Sequence, residues 1–412
     1  MQNIPDNLCY RKDIDRPLLS AERSAKPLCE LLLIIYTVNT VFFPQDTFHL
    51  KIVSLIALLV IGVRCWMVTE VEKPILVFGL FLTAFTIIMS IVVTGDIVGN
   101  IRGGYMGFIL LLWPIIKYYR IDFEKILMRI IVVMAWFIVA LAMLDYFKII
   151  PLVGNPVTEW FNSTDNGGIT KLGDNIYNYW IFLKASPMLV IAMPYCYKKK
   201  SYINFLLVFA AMFFSGTRAN QIISILGFAS CIIFIKDETL KITVKVLFFI
   251  LVFVAIINEG SLLAYFKEYF AKNSSGDAIR RATKEAIIAS WREKPLSLFT
   301  GAGYTGAIFD PMRKEMMPIV EVSYWNLLRQ VGLFPFIMMM GMFLYPLYRL
   351  VRDYRKLAYA AAYLGYLAIC YNDPLLYSST GMTVLLFMYY TCFKDTQENK
   401  PGRNDLGEEC RC

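Results

Sequence analysis

Long continuous apolar runs are the feature of this sequence that most constrains its fold. Of the 412 residues, 58% are hydrophobic and only 18% are charged, and the mean hydropathy is +0.54. The apolar residues form runs close to the roughly 20 residues that an α-helix needs to cross a bilayer. A membrane β-barrel would instead need short segments of alternating polarity. The sequence therefore predicts an all-α, polytopic integral membrane protein.

We predict about twelve membrane-spanning helices, and the distribution of positive charge predicts their orientation. The spans are 27–43, 50–68, 74–94, 104–119, 126–147, 180–197, 202–217, 219–235, 242–258, 331–348, 357–371 and 381–393. Lys and Arg are concentrated in both tails and in alternate connections, whereas the short connections between these hold only Arg102. Because cytoplasmic loops are enriched in Lys and Arg, both termini are predicted to be cytoplasmic.

This topology divides the chain into three parts. Residues 1–26 and 394–412 are predicted cytoplasmic tails, and 27–393 form the transmembrane domain. Two long loops, 148–179 and 259–330, then lie on the extracytoplasmic side. The net charge of +9 follows mostly from this topology, so we predict no nucleic-acid partner.

The scarcity of certain residue types excludes several kinds of chemistry. None of the nine cysteines lies in the two long loops, so no disulfide framework or Cys metal site is predicted there. His49 is the only histidine, which excludes His-based zinc sites and catalytic triads. The predicted spans carry no carboxylate near their middle, which argues against a proton- or sodium-coupled transporter.

The loop 259–330 is the long polar interruption in this apolar chain. It contains ten Lys or Arg residues and eight Asp or Glu residues. Within it, 274–292 has the periodicity of an amphipathic helix, with Arg280, Arg281 and Lys284 spread over the face opposite the apolar residues. Such a face is commonly solvated or bound to lipid headgroups, but paired arginines also suit bidentate recognition of phosphate.

Arg218 lies in a second polar segment, 213–221, which joins two predicted spans without room for a loop. We expect a tight helical hairpin at the outer face, with Gly216 relaxing the backbone. An arginine at mid-bilayer costs roughly 2.5–3.5 kcal/mol on insertion scales, so Arg218 is expected at the interface, beside a partner or on an anion. An interfacial arginine that merely snorkels is the alternative interpretation.

A further helix, 319–330, is predicted after Pro318, with Glu321 and Arg329 on one stripe. Glu321 lies among aromatic residues and can be interpreted as a base with a raised pKa. The alternative is that Glu321 is the structural partner of Arg329.

Two other segments carry weaker signals. The glycine-rich segment 299–306 lacks the Lys-Ser/Thr of a P-loop, so it is weak evidence for phosphate binding. Residues 371–380 form an Asn-Asp-Pro turn whose polar side chains would lie on the same side of the membrane as Arg218.

Together these segments resemble the O-antigen polymerase (Wzy-type) family, within the wider O-antigen ligase and polymerase superfamily. The matching residues are Ser215-Gly-Thr-Arg-Ala-Asn220 with Gly227, the Arg280-Arg281 helix, Trp291-Arg-Glu-Lys-Pro295 leading to Gly301-Ala-Gly303, and Glu321-Val-Ser-Tyr-Trp-Asn-Leu-Leu-Arg-Gln-Val-Gly332. The likeness covers about 200–380 in motifs and the whole chain in topology. Ligases of the superfamily usually have a histidine where Glu321 stands, which favours a polymerase.

The resemblance implies a glycosyltransferase of the bacterial inner membrane that uses a lipid-linked donor. A sugar hydroxyl on one undecaprenyl-diphosphate-linked repeat would attack the anomeric carbon of a chain held on another carrier, and the lipid diphosphate would leave. Because the carrier is already activated, no cofactor is expected. Membrane lipids, a chain-length regulator and a flippase are the further candidate partners.

The resemblance also assigns roles to the polar residues. Arg218 and Glu321 are the expected catalytic residues, one stabilising charge on the leaving diphosphate and the other acting as base. The expected diphosphate-binding residues are Arg280, Arg281, Lys284 and Arg329. The alternatives are a flippase or exporter of lipid-linked glycan, an O-antigen ligase, and a peptidoglycan-type glycosyltransferase. A flippase would need cations along the spans, whereas here they are concentrated outside them.

Overall fold

A computed structural model describes residues 15–62, 73–171, 179–235, 275–310 and 314–394. In these ranges the chain is mostly helical. The helices are α1 Asp15–Phe42, α2 Leu50–Gly62, α3 Lys73–Thr94, α4 Ile97–Gly104, α5 Leu112–Tyr118, α6 Phe123–Tyr146, α7 Pro156–Ser163, α8 Leu189–Lys198, α9 Tyr202–Phe214, α10 Arg218–Phe234, α11 Ser275–Glu293, α12 Ser297–Thr300, α13 Ser323–Val331, α14 Leu333–Arg352, α15 Leu357–Ile369 and α16 Ser379–Phe393. The strands are β1 Gly167–Lys171, β2 Tyr179–Leu183, β3 Ile308–Asp310 and β4 Glu315–Met317.

Four helices in the described ranges are long and apolar enough to cross a membrane. They are the Ala25–Phe42 part of α1, and the whole of α3, α6 and α14. Helices α2 and α9 have 13 residues each, which gives them a length of about 20 Å against a hydrocarbon core of about 30 Å. The helical class is thus confirmed, whereas a count of twelve spanning helices is not.

Two predicted spans have a different structure from the one expected. Residues 104–119 do not form one α-helix, because a 3₁₀ segment, Tyr105–Leu111, separates α4 from α5. Residues 180–197 begin in β2, and α8 starts only at Leu189. The β2 sequence Tyr-Trp-Ile-Phe-Leu is rich in aromatic and β-branched residues and alternates in burial, which suits a half-buried strand.

Other boundaries also differ from the sequence-based prediction. Helix α1 begins at Asp15, inside the predicted tail 1–26. Two short antiparallel hairpins, β1–β2 and β3–β4, accompany the helices and are not expected from the sequence. The predicted span 242–258 lies outside the described residues.

Apolar side chains cover the outward faces of several helices. Val92 on α3 and Ile203 on α9 are 73% and 74% exposed. Water-soluble monomers rarely expose large contiguous apolar patches, so these faces suit contact with lipid. Helix α16 is almost wholly buried and lies at the centre of the bundle. Gly227 allows α10 to approach α8, because a Cβ there would lie 3.0 Å from the sulfur of Met193.

One end of the bundle, which we call the loop end, joins the connections after α1, α3, α6, α9 and α15. The Gln45 amide donates to Asn166 Oδ1 at 3.1 Å, which connects the segments that follow α1 and α7. The Thr305 amide donates to Asn100 Oδ1 at 3.2 Å, and this bond ties the 301–306 segment to α4. These bonds bring the two predicted long loops to the same end.

The opposite end, which we call the basic end, joins the start of α6, the start of α15 and the end of α16. Lys394 Nζ lies 2.8 Å from Glu124 Oε2, and the Tyr359 hydroxyl donates to Glu124 Oε1 at 3.0 Å. The Lys356 ammonium donates to the Thr391 carbonyl at 2.8 Å. By the positive-inside rule this end is the predicted cytoplasmic end.

A small second core supports the polar segment at the loop end. It consists of Ile287 from α11, Ile308 from β3, and Val320 and Val322 from the segment before α13. The rings of Trp291 and Trp325 stack beside it at 5.9 Å. This apolar cluster fixes α11 against the β3–β4 hairpin and α13.

Candidate functional site

A tight turn between α9 and α10 places Arg218 at the loop end, as the sequence predicts. Ser215 and Asn220 are completely buried, and Asn220 Nδ2 donates to Ser215 Oγ at 2.8 Å across the turn. The Thr217 side chain caps α10 by accepting from the Asn220 amide. Arg218 is therefore the first residue of α10, and it extends from a buried turn that these hydrogen bonds hold in place.

Both the backbone conformation and the neighbouring atoms require a glycine at Gly216. Its φ is +73°, a value that other residues rarely adopt. A Cβ there would lie 2.8 Å from the Tyr179 carbonyl oxygen and 2.9 Å from Trp180 Cα. The β1–β2 hairpin thus packs directly on the turn and fixes the position from which Arg218 extends.

The position of Arg218 at a helix N-terminus concentrates positive potential. The macrodipole already places a partial positive charge there, which normally favours acidic residues. The first turn of α10 contains no acidic residue. A carboxylate from another helix, Asp277 of α11, approaches instead.

Helix α11 divides its cations between two faces. Thr283 and Ile287 are buried, and Arg280 and Lys284 lie beside them in partly buried positions. Arg281 is on the exposed face. The expectation that all three cations lie opposite the packed face is therefore wrong for Arg280 and Lys284. The helix packs through the stripe of these four positions, because the second core draws Ile287 inward.

Arg218 and Arg280 converge on one carboxylate. Arg218 Nη1 lies 3.7 Å from Asp277 Oδ2, and Arg280 Nη1 lies 3.3 Å from Asp277 Oδ1. Both distances exceed the roughly 2.7–2.9 Å of a strong charge-assisted hydrogen bond. Asp277 is also 44% exposed, and an exposed ion pair contributes only about 0–1 kcal/mol. An incoming anion can therefore compete with Asp277 for the two guanidinium groups at little cost.

Glu321 completes the pairing of Arg280 on its other side. Glu321 Oε2 lies 3.7 Å from Arg280 Nε, a nitrogen that is buried and lacks a hydrogen-bond acceptor among the described residues. A buried donor without an acceptor is costly, so Arg280 has unused capacity to bind an oxygen atom.

The helix predicted for 319–330 starts later than expected. Strand β4 ends at Met317, Val320 and Val322 fill the second core, and α13 begins at Ser323. Glu321 is therefore in the preceding loop and does not share a helical stripe with Arg329. Its structural partner in the cluster is Arg280.

Asp373 is a further member of this site, and it is not among the residues predicted from the sequence. It lies in the turn between α15 and α16, close enough to Arg280 and Glu321 to feel the charge of both. Burial is the main cause that raises the pKa of Asp373 to about 6; Arg280 opposes the rise and Glu321 adds to it. Its carbonyl accepts from Ser323 Oγ, which fixes the turn to α13. The Asn-Asp-Pro turn was the only signal in the sequence.

Lys284, one helical turn after Arg280 on α11, contacts the same connection between α15 and α16. Its ammonium donates to the Tyr371 hydroxyl at 2.9 Å and lies 4.7 Å from the centre of the Tyr371 ring. The structure thus brings together Arg218, Arg280 and Lys284 with the carboxylates of Asp277, Glu321 and Asp373.

Arg329 does not belong to this cluster. It is only 2% exposed, and its guanidinium donates to the carbonyls of Gly306 and Pro318 and to Asn326 Oδ1. Burial lowers the pKa of Arg329 to about 10, so it stays charged at neutral pH. We therefore correct the expected role of Arg329 from diphosphate binding to a structural one.

The glycine-rich segment is also explained by packing. The Ala302 and Gly303 amides donate to the carbonyls of Arg329 and Gln330 at 2.7 and 3.0 Å. Gly301 has a φ of +78°, and a Cβ there would overlap the backbone of residue Gln330. These backbone donors are used to hold α13, so they do not form a cradle for phosphate.

The described residues include no group of three or more His, Cys, Asp or Glu side chains that could hold a metal ion. The fold and site define a mostly helical protein, with apolar helices suited to a membrane and a cluster of opposite charges at one end. No family model and no curated protein matches the sequence. The function is therefore inferred from the chemistry of this cluster.

Proposed function

We propose that this protein polymerises undecaprenyl-diphosphate-linked oligosaccharide repeat units into O-antigen or capsule-type polysaccharide at the outer face of the bacterial inner membrane. The observation that carries the proposal is the convergence of Arg218 and Arg280 on the carboxylate of Asp277. Two guanidinium groups from separate segments provide the planar, paired donors that a diphosphate requires. Asp277 marks where the anionic oxygens would lie.

The exposed surface of α10 offers a path for the lipid part of such a substrate. Ile222, Ile225 and Leu226 lie one to two turns after Arg218 and are 43%, 43% and 58% exposed. Residues four, seven and eight positions after Arg218 share its side of the helix. A polyprenyl chain lying along this face would place its diphosphate beside Arg218.

The chemistry then needs charge stabilisation and one proton acceptor. The acceptor hydroxyl attacks the anomeric carbon, the bond from that carbon to the diphosphate oxygen breaks, and the electron pair leaves with the diphosphate. Arg218 and Arg280 stabilise the charge that develops on this oxygen. The hydroxyl proton passes to a carboxylate of the cluster, Glu321 or Asp373.

We expect the rate of polymerisation to depend on pH through Asp373. Its carboxylate form, the form that accepts a proton, increases as pH rises through about 6. The initial rate should therefore fall about tenfold per pH unit below 6 and be constant above it. Asp373→Asn should lower the rate and abolish this fall at low pH. The initial rate is measured with membranes and purified lipid-linked repeats. If the rate of Asp373→Asn still falls below pH 6, Asp373 is not the titrating group.

Glu321→Gln provides the matched comparison with Asp373→Asn. If Glu321 is the base, its replacement should lower kcat with little change in KM, whereas equal losses in substrate affinity and turnover indicate that it only orients Arg280. The carboxylate whose replacement lowers kcat but not substrate affinity is the base. If neither variant shows such a selective loss of kcat, general-base catalysis by this cluster is refuted.

The proposal is tested by mass analysis of the lipid-linked glycans in a strain that lacks this protein. A polymerase leaves single repeat units trapped on their carrier at the outer leaflet. Full-length chains that remain unattached would identify a ligase, and repeats held at the inner leaflet would identify a flippase. Either of the last two results would refute the proposed function.

A further inference from the structure

The basic end of the bundle, opposite the site described above, contains a cavity of about 310 Å³. This volume is at the lower end of the roughly 300–1,000 Å³ typical of small-molecule sites. Its lining includes Tyr348, Arg349, Arg352, Asp353, Arg355 and Lys356. Four cations and one carboxylate therefore surround it, and an anionic ligand is favoured.

Asp353, the one carboxylate in this lining, already forms ion pairs with two of these cations. Asp353 Oδ1 lies 3.2 Å from Arg355 Nε, and Asp353 Oδ2 lies 4.0 Å from Lys356 Nζ. Lys356 also donates to the Thr391 carbonyl. Arg349 and Arg352 are left with no ion pair to a carboxylate within the described ranges.

Aromatic rings hold these two arginines in place. The Arg349 guanidinium carbon lies 5.3 Å from the centre of the Phe393 ring, and that of Arg352 lies 4.2 Å from the centre of the Tyr348 ring. Cation–π contact of this kind orients a guanidinium group while its N–H donors remain able to bind oxygen atoms. The pair is thus oriented without being neutralised.

The cavity also adjoins an exposed apolar surface. Leu344, Tyr348 and Val351 follow one stripe of α14 and are 46%, 50% and 55% exposed. Acyl chains can lie along this stripe while a headgroup enters the cavity, since basic pockets beside membrane helices suit anionic lipid headgroups. A soluble phosphate compound would gain nothing from the stripe.

We propose that this cavity binds the phosphodiester headgroup of an anionic phospholipid, with Arg349 and Arg352 as its main ligands. The site is separate from the proposed polymerisation site, and its test does not depend on enzymatic activity. Because the cavity lies where cytoplasmic charges are predicted, the lipid would come from the inner leaflet.

The test compares how tightly different lipids bind to the purified full-length protein in a nonionic detergent. Native mass spectrometry measures the binding of phosphatidylglycerol, zwitterionic phosphatidylethanolamine and soluble glycerol 3-phosphate. We expect the wild type to bind phosphatidylglycerol at least about tenfold more tightly than either of the others. The double variant Arg349→Gln, Arg352→Gln should lose this preference. Arg120→Gln, Arg129→Gln removes two exposed arginines outside the cavity and should keep it.

The other outcomes contradict the proposal in distinct ways. Equal binding of the two lipids by the wild type shows that no anion-selective lipid site exists. Binding of glycerol 3-phosphate as tightly as the lipid shows a site for a soluble phosphate compound. If both double variants lose the preference for phosphatidylglycerol equally, the effect is a general one of net charge. If the glutamine variant does not fold, Arg349→Lys, Arg352→Lys keeps both charges, and retention of the full preference would refute binding by the guanidinium groups.

Discussion

Replacing Arg218 with Ala is expected to abolish long polymer while single repeat units persist on their lipid carrier. Arg218 is the first residue of α10, where the helix dipole and Arg280 add to its positive potential. Removing one group that stabilises developing negative charge commonly lowers kcat by about 10²–10³-fold. The loss should therefore appear in the chemical step more than in the amount of folded protein.

The measurement for Arg218 is the length distribution of the glycan in a strain that carries the variant. Arg218→Lys keeps the charge and should restore only part of the activity, because it lacks the bidentate geometry of arginine. Arg292→Ala, which removes an exposed arginine near the end of α11, serves as the matched control and should change little. Long chains of normal abundance in Arg218→Ala would contradict the proposed function.

The second large effect is expected from a pair of adjacent arginines. Arg280 contacts Asp277 and Glu321, whereas Arg281 lies on the exposed face of α11. Arg280→Ala should lower the polymerisation rate by at least about 10²-fold and shorten the chains, because it removes one half of the diphosphate site. Arg281→Ala should leave the rate within about twofold, which replaces the sequence-based expectation that both arginines bind diphosphate.

These two variants are measured together, at matched protein levels in the membrane. Both remove one guanidinium group from neighbouring positions of one helix, so they have the same effect on net charge and a similar effect on helix propensity. Equal losses of activity in Arg280→Ala and Arg281→Ala would show that α11 acts through its overall charge. In that case the cationic face would be a headgroup-binding surface.

The features predicted correctly from sequence are those that depend on local patterns. The apolar runs predict helices, and the short polar segment around Gly216 predicts a tight hairpin because it leaves no room for a loop. The amphipathic period of α11 likewise predicts a helix near Arg280. These signals are contained within a few consecutive turns of chain.

The errors arise where distant segments decide the outcome. From sequence, β2 resembles the start of an apolar span. It is a strand because it pairs with β1, and that pairing cannot be recognised in the β2 segment itself. The rotation of α11 depends on the second core formed with β3 and the segment before α13. Arg329 resembles a ligand by its charge, but the carbonyls that bind it come from Gly306 and Pro318.

Asp373 shows the same limit in the candidate site. Nothing in its own segment distinguishes it from an ordinary turn residue. Its importance comes from the approach of Arg280 and Glu321, which are about 50 to 90 positions away along the chain. Folding alone brings these three groups together.

The most direct test of the proposed polymerisation follows the bond that breaks. The purified protein is reconstituted in liposomes with a lipid-linked repeat unit, and both released undecaprenyl diphosphate and joined repeats are measured. We expect one undecaprenyl diphosphate to be released for each new glycosidic bond, with release lost in Arg218→Ala and kept in Arg281→Ala. Intact carriers in the presence of the folded wild-type protein, or carriers that change leaflet without any lengthening of the glycan, would contradict the proposed polymerisation.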